Sequence, residues 1–193
     1  MNQDIQCVAF KGRQRIASGE LKEVALKARK AGEAIIFDDA TSEIIDIDLS
    51  GTPRDLQRRL DAAPPAEPAA DPEPRPPGRP KLGVVAREVT LLPRHWDWLS
   101  LQPGGPSVAL RKLVEGARRV HREDDRLRTA REAAYRFLSA MAGNESGFEE
   151  ATRGLFTGDP VRFAQHSQSW PPDVREHAAR LAQRAFEPIE NNP

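Results

Sequence analysis

Side chains able to grip a polyanion are crowded into one stretch of this 193-residue chain. Residues 75–122 hold ten Lys or Arg against three Asp or Glu, net +7. Residues 1–62 carry −1, residues 63–74 carry −3 and residues 123–193 carry −3. The chain as a whole is neutral, with 29 basic and 29 acidic groups, so the asymmetry is local. A basic block between acidic neighbours is the footprint expected of a nucleic-acid contact, because guanidinium and ammonium groups displace counterions from phosphates. Arg79, Lys81, Arg87, Arg94, Arg111 and Lys112 supply six of the ten cations in this block, and Thr90 and Ser107 supply hydroxyls. DNA is the partner these eight residues point to.

Groups able to do covalent or metal chemistry are scattered by comparison. His95, His121, His166 and His177 form no pair at metal-ligand spacing with one another, with Cys7 or with an acid. Cys7 has no basic neighbour in sequence to lower its pKa and reads as strand packing. Asp38, Asp39, Glu43, Asp46 and Asp48 lack the Gly-pivoted loop of a calcium site and read as a solvated turn and strand face. Gly104-Gly105 is not followed by the Lys-Ser/Thr of a phosphate loop, and no nucleophile elbow occurs. The expectation is a protein that is not an enzyme and takes no cofactor and no metal. One cysteine excludes a disulfide framework. No apolar run approaches the ~18 residues of a membrane span, and Met1-Asn2-Gln3-Asp4 lacks the basic and apolar regions of a signal peptide. A cytoplasmic location without membrane contact is expected.

The chain must hold the basic block in place with modest cores. Hydrophobic residues are 38% of the total and 17 residues are Pro. Eight of those prolines fall within residues 63–80, where no large apolar residue occurs, so residues 63–82 read as a Pro-rich disordered linker. The expected class is α+β, in four parts. Residues 1–62 read as a small ββαββα domain: strands over 6–10 and 14–17, a helix capped by Ser18, a strand over 34–37, a strand alternating Ile45, Ile47 and Leu49 with Asp46 and Asp48, and a helix opened by Pro53. Residues 123–187 read as a helical domain, followed by a tail over 188–193. Its first helix carries the stripe Leu127, Ala130, Ala134, Leu138 and Met141. Ser146 with Glu149 fits a capping box, and Asp159-Pro160 and Trp170-Pro171-Pro172 open the later helices.

Residues 83–122 form the fourth part. Val84–Leu92 is β-branched and ends at Pro93, which suits a helix start over 94–102. Pro103-Gly104-Gly105-Pro106 breaks that helix, and Ser107 is placed to cap the next, where Leu110, Leu113, Val114 and Ala117 share a face. One strand and two helices cannot bury an adequate core alone, and a lone strand leaves an unpaired edge. Both defects vanish if two chains pair their strands and interleave their helices.

The strand-Pro-helix-Gly-helix order, with Ser107 to Val114 as SVALRKLV, resembles the ribbon-helix-helix DNA-binding proteins. The resemblance implies a homodimer with a core of Val89, Leu91, Leu92, Trp96, Leu99, Leu110, Leu113 and Val114. It implies a two-stranded ribbon in the major groove and a phosphate held at the start of the second helix, at Ser107. With Leu92 turned to the core, Arg87, Val89 and Leu91 face the groove; in the opposite register Glu88 and Thr90 do. Pro77-Gly78-Arg79-Pro80-Lys81 also resembles the minor-groove AT-hook core, which would make Arg79 and Lys81 an auxiliary arm. The same resemblance includes repressors that pair with a toxin, so a protein partner on the flanking domains is a further expectation.

Over nearly its full length the chain is similar to an uncharacterised family of bacterial proteins, through Ile36-Phe37-Asp38-Asp39-Ala40-Thr41, Gly78-Arg79-Pro80-Lys81-Leu82-Gly83, Leu92-Pro93-Arg94-His95-Trp96 and Tyr135-Arg136-Phe137. That similarity implies a bacterial source and no particular activity. The expected function is a dimeric DNA-binding protein acting as a transcriptional regulator. The alternative is a protein-interaction scaffold in which the central unit only dimerises the chain.

Overall fold

The computed structural model describes residues 5–61, 85 and 87–187. The chain is mixed α+β and mostly helical. Three strands form one antiparallel sheet, and eight helices are present among the described residues. In chain order the elements are β1 (Gln6–Lys11), β2 (Gln14–Glu20), α1 (Leu21–Ala31), β3 (Ile35–Asp38), α2 (Pro53–Asp61), α3 (Pro93–Ser100), α4 (Gly105–Val120), α5 (Arg122–Ala142), α6 (Phe148–Thr157), α7 (Pro160–His166) and α8 (Pro172–Phe186). They fall into two compact units, one of residues 1–64 with 123–193 and one of residues 65–122.

In the first unit β1 is the central strand, flanked by β2 and β3, both antiparallel to it. Cys7, Val8, Ala9 and Phe10 are all buried, so the strand is covered on both faces. Cys7 and Ala9 pack with Ala17, Leu21, Val24, Ala28, Ile36 and Leu56 under α1 and α2. Val8 and Phe10 pack with Phe37, Phe137, Leu138 and Leu181 of the C-terminal helices. A run of four apolar residues with no polar alternation is what such a strand requires.

The sequence reading set residues 1–62 and 123–187 apart on either side of the linker. In the structure they contribute to one core. Phe10 lies 5.4 Å from Phe137 between ring centroids, and Phe37 lies 5.4 Å from the same ring. Polar groups tie the halves as well: the Arg15 backbone N–H donates to Asp173 at 2.8 Å, and Arg136 Nη1 donates to the Thr41 carbonyl at 2.7 Å. Hydrophobic alternation detects a half-buried sheet face but not what covers it, so the two halves look independent in sequence.

Local departures have local reasons. The ββαββα expectation becomes ββαβα. Ile44 bridges Phe37, and Ile45 N–H donates to the Ile36 carbonyl at 2.8 Å, but no strand continues. Ile45, Ile47 and Leu49 nevertheless pack against the α1 side while Asp46 and Asp48 stay exposed. The alternation therefore marks the buried side without a ladder. Ser18 lies within β2, and α1 starts after Glu20 with no side-chain cap. At α6 the N-cap is Gly147 in the left-handed region, not Ser146. A Cβ on Gly147 would meet the His166 carbonyl oxygen at 2.3 Å, so this close approach excludes any side chain. Asp159 caps α7 as expected, accepting from Arg162 N–H at 3.0 Å. Trp170 is buried and donates to the Ser146 carbonyl at 2.9 Å.

The second unit consists of α3 packed against α4, preceded by residues 87–92, which carry no regular structure. The expected strand over 84–92 is therefore not formed among its described residues. A strand exists only where a neighbour accepts and donates its ladder bonds, and residues 87–92 have none. Pro93 opens α3 as expected. Gly104, at φ 86°, is the N-cap of α4, so Ser107 lies inside the first turn and does not cap it.

The shared core makes a prediction. Phe10→Ala and Phe137→Ala should each cost about 3–5 kcal/mol, as buried aromatic truncations do. The double variant should show a coupling of about 0.5–1.5 kcal/mol, because the two rings touch. Urea unfolding of the four proteins measures it, and strict additivity would contradict a common core.

Candidate functional sites

The residues expected to contact DNA all fall within the sequence range of the second unit. Arg79 and Lys81 fall outside the described residues. Arg87 and Thr90 are exposed in the irregular segment, Arg94 is exposed on the first turn of α3, and Ser107, Arg111 and Lys112 are exposed on α4. No acidic side chain lies in the first turn of α3 or of α4. An anion approaching the α4 N-terminus would therefore meet the positive end of the helix dipole without a like charge in that turn.

The residues expected to form a dimer core are mostly uncovered. Leu99 is buried, and Leu91 and Leu110 are half-buried. Val89, Leu92, Trp96, Leu113 and Val114 are between 38% and 56% exposed. Trp98 and Leu101 are exposed too, at 50% and 82%. Within this unit only Leu99 and Ala109 are fully buried among the described residues. A helix pair with so little covered apolar surface falls short of what an independent core needs.

The first unit holds two cavities that sequence reasoning missed. The more enclosed measures about 300 Å³ and is lined by Cys7, Arg15, Ser18, Asp39, His177 and Arg180, among others. β1 and β2 bring Cys7, Arg15 and Ser18 to it, the turn after β3 brings Asp39, and α8 brings His177 and Arg180. Asp39 is the fulcrum. Arg180 grips both of its carboxylate oxygens, one of them at 2.8 Å, across 141 residues of sequence. Arg184 Nη2 reaches the same carboxylate at 3.1 Å, and Arg184 Nη1 donates to the Asp39 carbonyl at 2.8 Å. These guanidiniums hold the Asp39 carboxyl below its ordinary pKa. The sequence assigned Asp38 and Asp39 alike to a solvated turn. Asp38 does cap that turn, accepting from Ala40 and Thr41 N–H at 2.8 Å, but Asp39 is half-buried in ion pairs.

His177 is 1% exposed, its ring 4.5 Å from Phe137 and 5.6 Å from Phe10 between centroids. Its Nδ1 lies 3.0 Å from Arg180 Nη2. A guanidinium has donors only, so Nδ1 accepts and the ring proton sits on Nε2. That Nε2 is buried with no hydrogen-bond partner among the described residues. The linear signal was faint: His177, Arg180 and Arg184 share one face of a helix, but their carboxylate partner lies at the far end of the chain. Cys7 is buried, and that burial, reinforced by Asp38 and Asp39, pushes its thiol up to about 11. It is a protonated thiol at neutral pH, the opposite of an activated nucleophile.

The second cavity is a more open groove of about 750 Å³ lined by Phe37, Ser42, Ile44, Tyr135 and Arg136 among others. Among the described residues no group of three or more His, Cys, Asp or Glu side chains could hold a metal ion. No helix among them is long and apolar enough to cross a membrane.

Residues 6–182 match the model of a family described as "Uncharacterized protein conserved in bacteria (DUF2239)". No curated protein and no solved structure matches the chain.

The buried imidazole sets a pH dependence. Burial first, then the positive charge of Arg180 against the opposing charge of Asp39, lowers the His177 pKa from 6.5 to about 4. The unfolded chain takes up this proton near pH 6.5 and the folded chain resists it. Its contribution to stability is therefore complete above pH 6.5 and drains away as pH falls from 6.5 to about 4. Asp39, with its pKa lowered in the folded state, loses its contribution only below its ordinary 3.8, so the two windows are separate. Unfolding free energy should drop by up to about 3 kcal/mol between pH 7 and pH 4. His177→Phe should flatten that slope. Urea titrations at four pH values measure both proteins, and equal slopes would contradict a buried neutral imidazole.

Proposed function

The chain belongs to a family of uncharacterised proteins conserved in bacteria, and from that premise we propose that it works as a dimeric DNA-binding protein, a transcriptional regulator of the cytoplasm. Residues 84–92 of two copies pair as an antiparallel ribbon, and α3 and α4 of each copy cover the apolar face of the other. The ribbon enters the major groove with Arg87 in one register or with Thr90 in the other. Arg94, the first turn of α4 around Ser107, and Arg111 with Lys112 hold the phosphates. Arg79 and Lys81 follow the backbone or the minor groove.

One observation carries the reading: the apolar residues of the second unit are exposed where a lone helix pair should hide them. Val89, Leu92, Trp96, Leu113 and Val114 are each more than a third exposed, and they are interspersed with the cations of the +7 block. A second copy supplies what is missing on both counts, burying the apolar stripe and doubling the positive charge. It also supplies the neighbour that a strand over 84–92 lacks. An exposed apolar patch rimmed by polar residues marks an interaction site.

The test is a titration of the full chain onto duplex DNA, using both its own upstream region and a random sequence. It is run at two salt concentrations, with mass followed by light scattering. The expected result is a dimer whose binding constant falls with salt, with a log–log slope of about −0.9 per phosphate neutralised. Arg87→Glu with Arg111→Glu should abolish binding and leave the dimer intact. A dimer that ignores DNA at low salt overturns the regulator and leaves the central unit as the dimerising element of a scaffold. A monomer overturns both readings.

A further inference from the structure

We propose that the sheet edge at Ile44, with the groove beside it, docks an extended segment of a partner protein. That segment pairs antiparallel with residues 43–46 and sets an apolar side chain beside Ile44 and a Lys or Arg beside Asp46.

The backbone comes first. Ile44 bridges Phe37 on the side of β3 that faces away from β1. The bonds of this bridge run through its neighbours: Asp38 N–H donates to the Glu43 carbonyl at 2.9 Å, and Ile45 N–H donates to the Ile36 carbonyl at 2.8 Å. Phe37 and Ile44 are therefore a non-hydrogen-bonded pair, and the N–H and C=O of Ile44 turn away from the sheet. Among the described residues neither group has a partner, and neither do those of Asp46. Unpaired edge groups are a template for a further strand from another chain. At the other edge strand, β2, the Arg15 N–H is already taken by the Asp173 carboxylate at 2.8 Å. The segment also has the pattern of a strand: Ile45, Ile47 and Leu49 alternate with Asp46 and Asp48, yet its ladder stops at one bridge. An added strand supplies the neighbour that its outer side lacks.

Side chains define the occupant. Paired residues share a face, so Ile44 lies on the side of Phe37, the side packed against α5, and is still 60% exposed. The groove of about 750 Å³ beside it is walled by Tyr135, Arg136, Ser139 and Ala140 of α5, and Tyr135 is 41% exposed. An apolar side chain of the added strand enters there, next to Ile44. Asp46 is exposed and has no ion pair among the described residues. Two residues along a strand it shares the face of Ile44, and a cross-strand Lys or Arg complements it. The other charges around the edge are accounted for. Asp48 is held by Arg59, Asp39 by Arg180 and Arg184, and Asp38 by the Ala40 and Thr41 N–H groups. Glu132, one turn before Arg136 on α5, pairs with Arg128 at 3.5 Å. Glu43, also at the groove, has no ion pair among the described residues and adds to the acidic side of the balance. Arg136, the cation in the groove wall, donates to the Thr41 carbonyl at 2.7 Å, at the opposite end of the segment from Asp46. An acid in the partner matches that end. The inference stands without the DNA-binding reading, because none of these residues belongs to the central unit.

The probe is a synthetic peptide, acetyl-Thr-Lys-Thr-Val-Thr-Glu-Thr-amide, titrated into the full-length protein. In antiparallel register its Val meets Ile44, its Lys meets Asp46 and its Glu meets the Arg136 end. The readouts are isothermal calorimetry and the backbone amide resonances of Ile44 and Asp46. Saturable binding that shifts both amides and slows their hydrogen exchange is the expected result. Methylating the Val nitrogen of the peptide removes the N–H that donates to the Ile44 carbonyl and should weaken binding about tenfold. Ile44→Pro removes the outward N–H, keeps both bonds to β3 and should weaken binding as much. Asp46→Lys should weaken binding of this peptide and favour one with Glu in place of its Lys. Both positions are exposed, and thermal melts check that the variants fold. Arg111→Gln with Lys112→Gln should leave binding unchanged. The proposal is overturned if the peptide does not saturate, if the two amides do not respond, or if the methylated peptide binds like the parent. A dimer that Ile44→Pro converts to monomer, with peptide affinity unchanged, overturns it in favour of a second copy on this edge.

Discussion

A strand buried on both faces needs two covers, and β1 takes them from opposite ends of the chain. Cys7 and Ala9 look toward α1 and α2; Val8 and Phe10 look toward α5 and α8. The first cover follows immediately in sequence. The second comes only after residue 122, so the N-terminal sheet and the C-terminal helices must find each other across the whole intervening segment. The aromatic cluster of Phe10, Phe37 and Phe137 around His177 is the contact that joins them. The polar ties at Asp39, Asp173 and Thr41 sit on the same seam.

That constraint also builds the cavity. Packing a helix onto a sheet brings side chains from both elements to one edge. Here the edge gathers a carboxylate from the β3 turn and two guanidiniums from α8. Because the imidazole of His177 is sealed between two phenyl rings and beside a guanidinium, it stays neutral and its tautomer is set by the company it keeps. Stability and candidate chemistry thus rest on the same residues.

The central unit follows the opposite logic. Its cations stand on helices whose apolar faces have little to cover them among the described residues. In the first unit the two halves of a single polypeptide complete each other's cores. In the second, the apolar faces of α3 and α4 are exposed among the described residues, and the proposed dimer rests on that exposure.

Much of the local architecture was legible in the residues. Pro93, Asp159-Pro160 and Pro171-Pro172 marked helix starts, because a fixed φ and a missing N–H suit the first turn. The stripe through Ala134, Leu138 and Met141 marked the buried side of α5, because helical spacing repeats every turn. The alternation at Ile45, Ile47 and Leu49 marked the buried side of its segment, yet not whether it would find a ladder partner. Caps at Ser18, Ser107 and Ser146 were misplaced by one to three residues, since glycine or a longer strand took the cap position. What the residues could not reveal was which faces meet. The unbroken apolar run Cys7-Val8-Ala9-Phe10 announced a strand covered twice without naming the second cover, and Asp39 with Arg180 is a pair made across 141 residues. Periodicity and capping act over one or two turns of chain and are written in local sequence. Burial, charge pairing and pKa depend on neighbours that only the packed tertiary structure supplies.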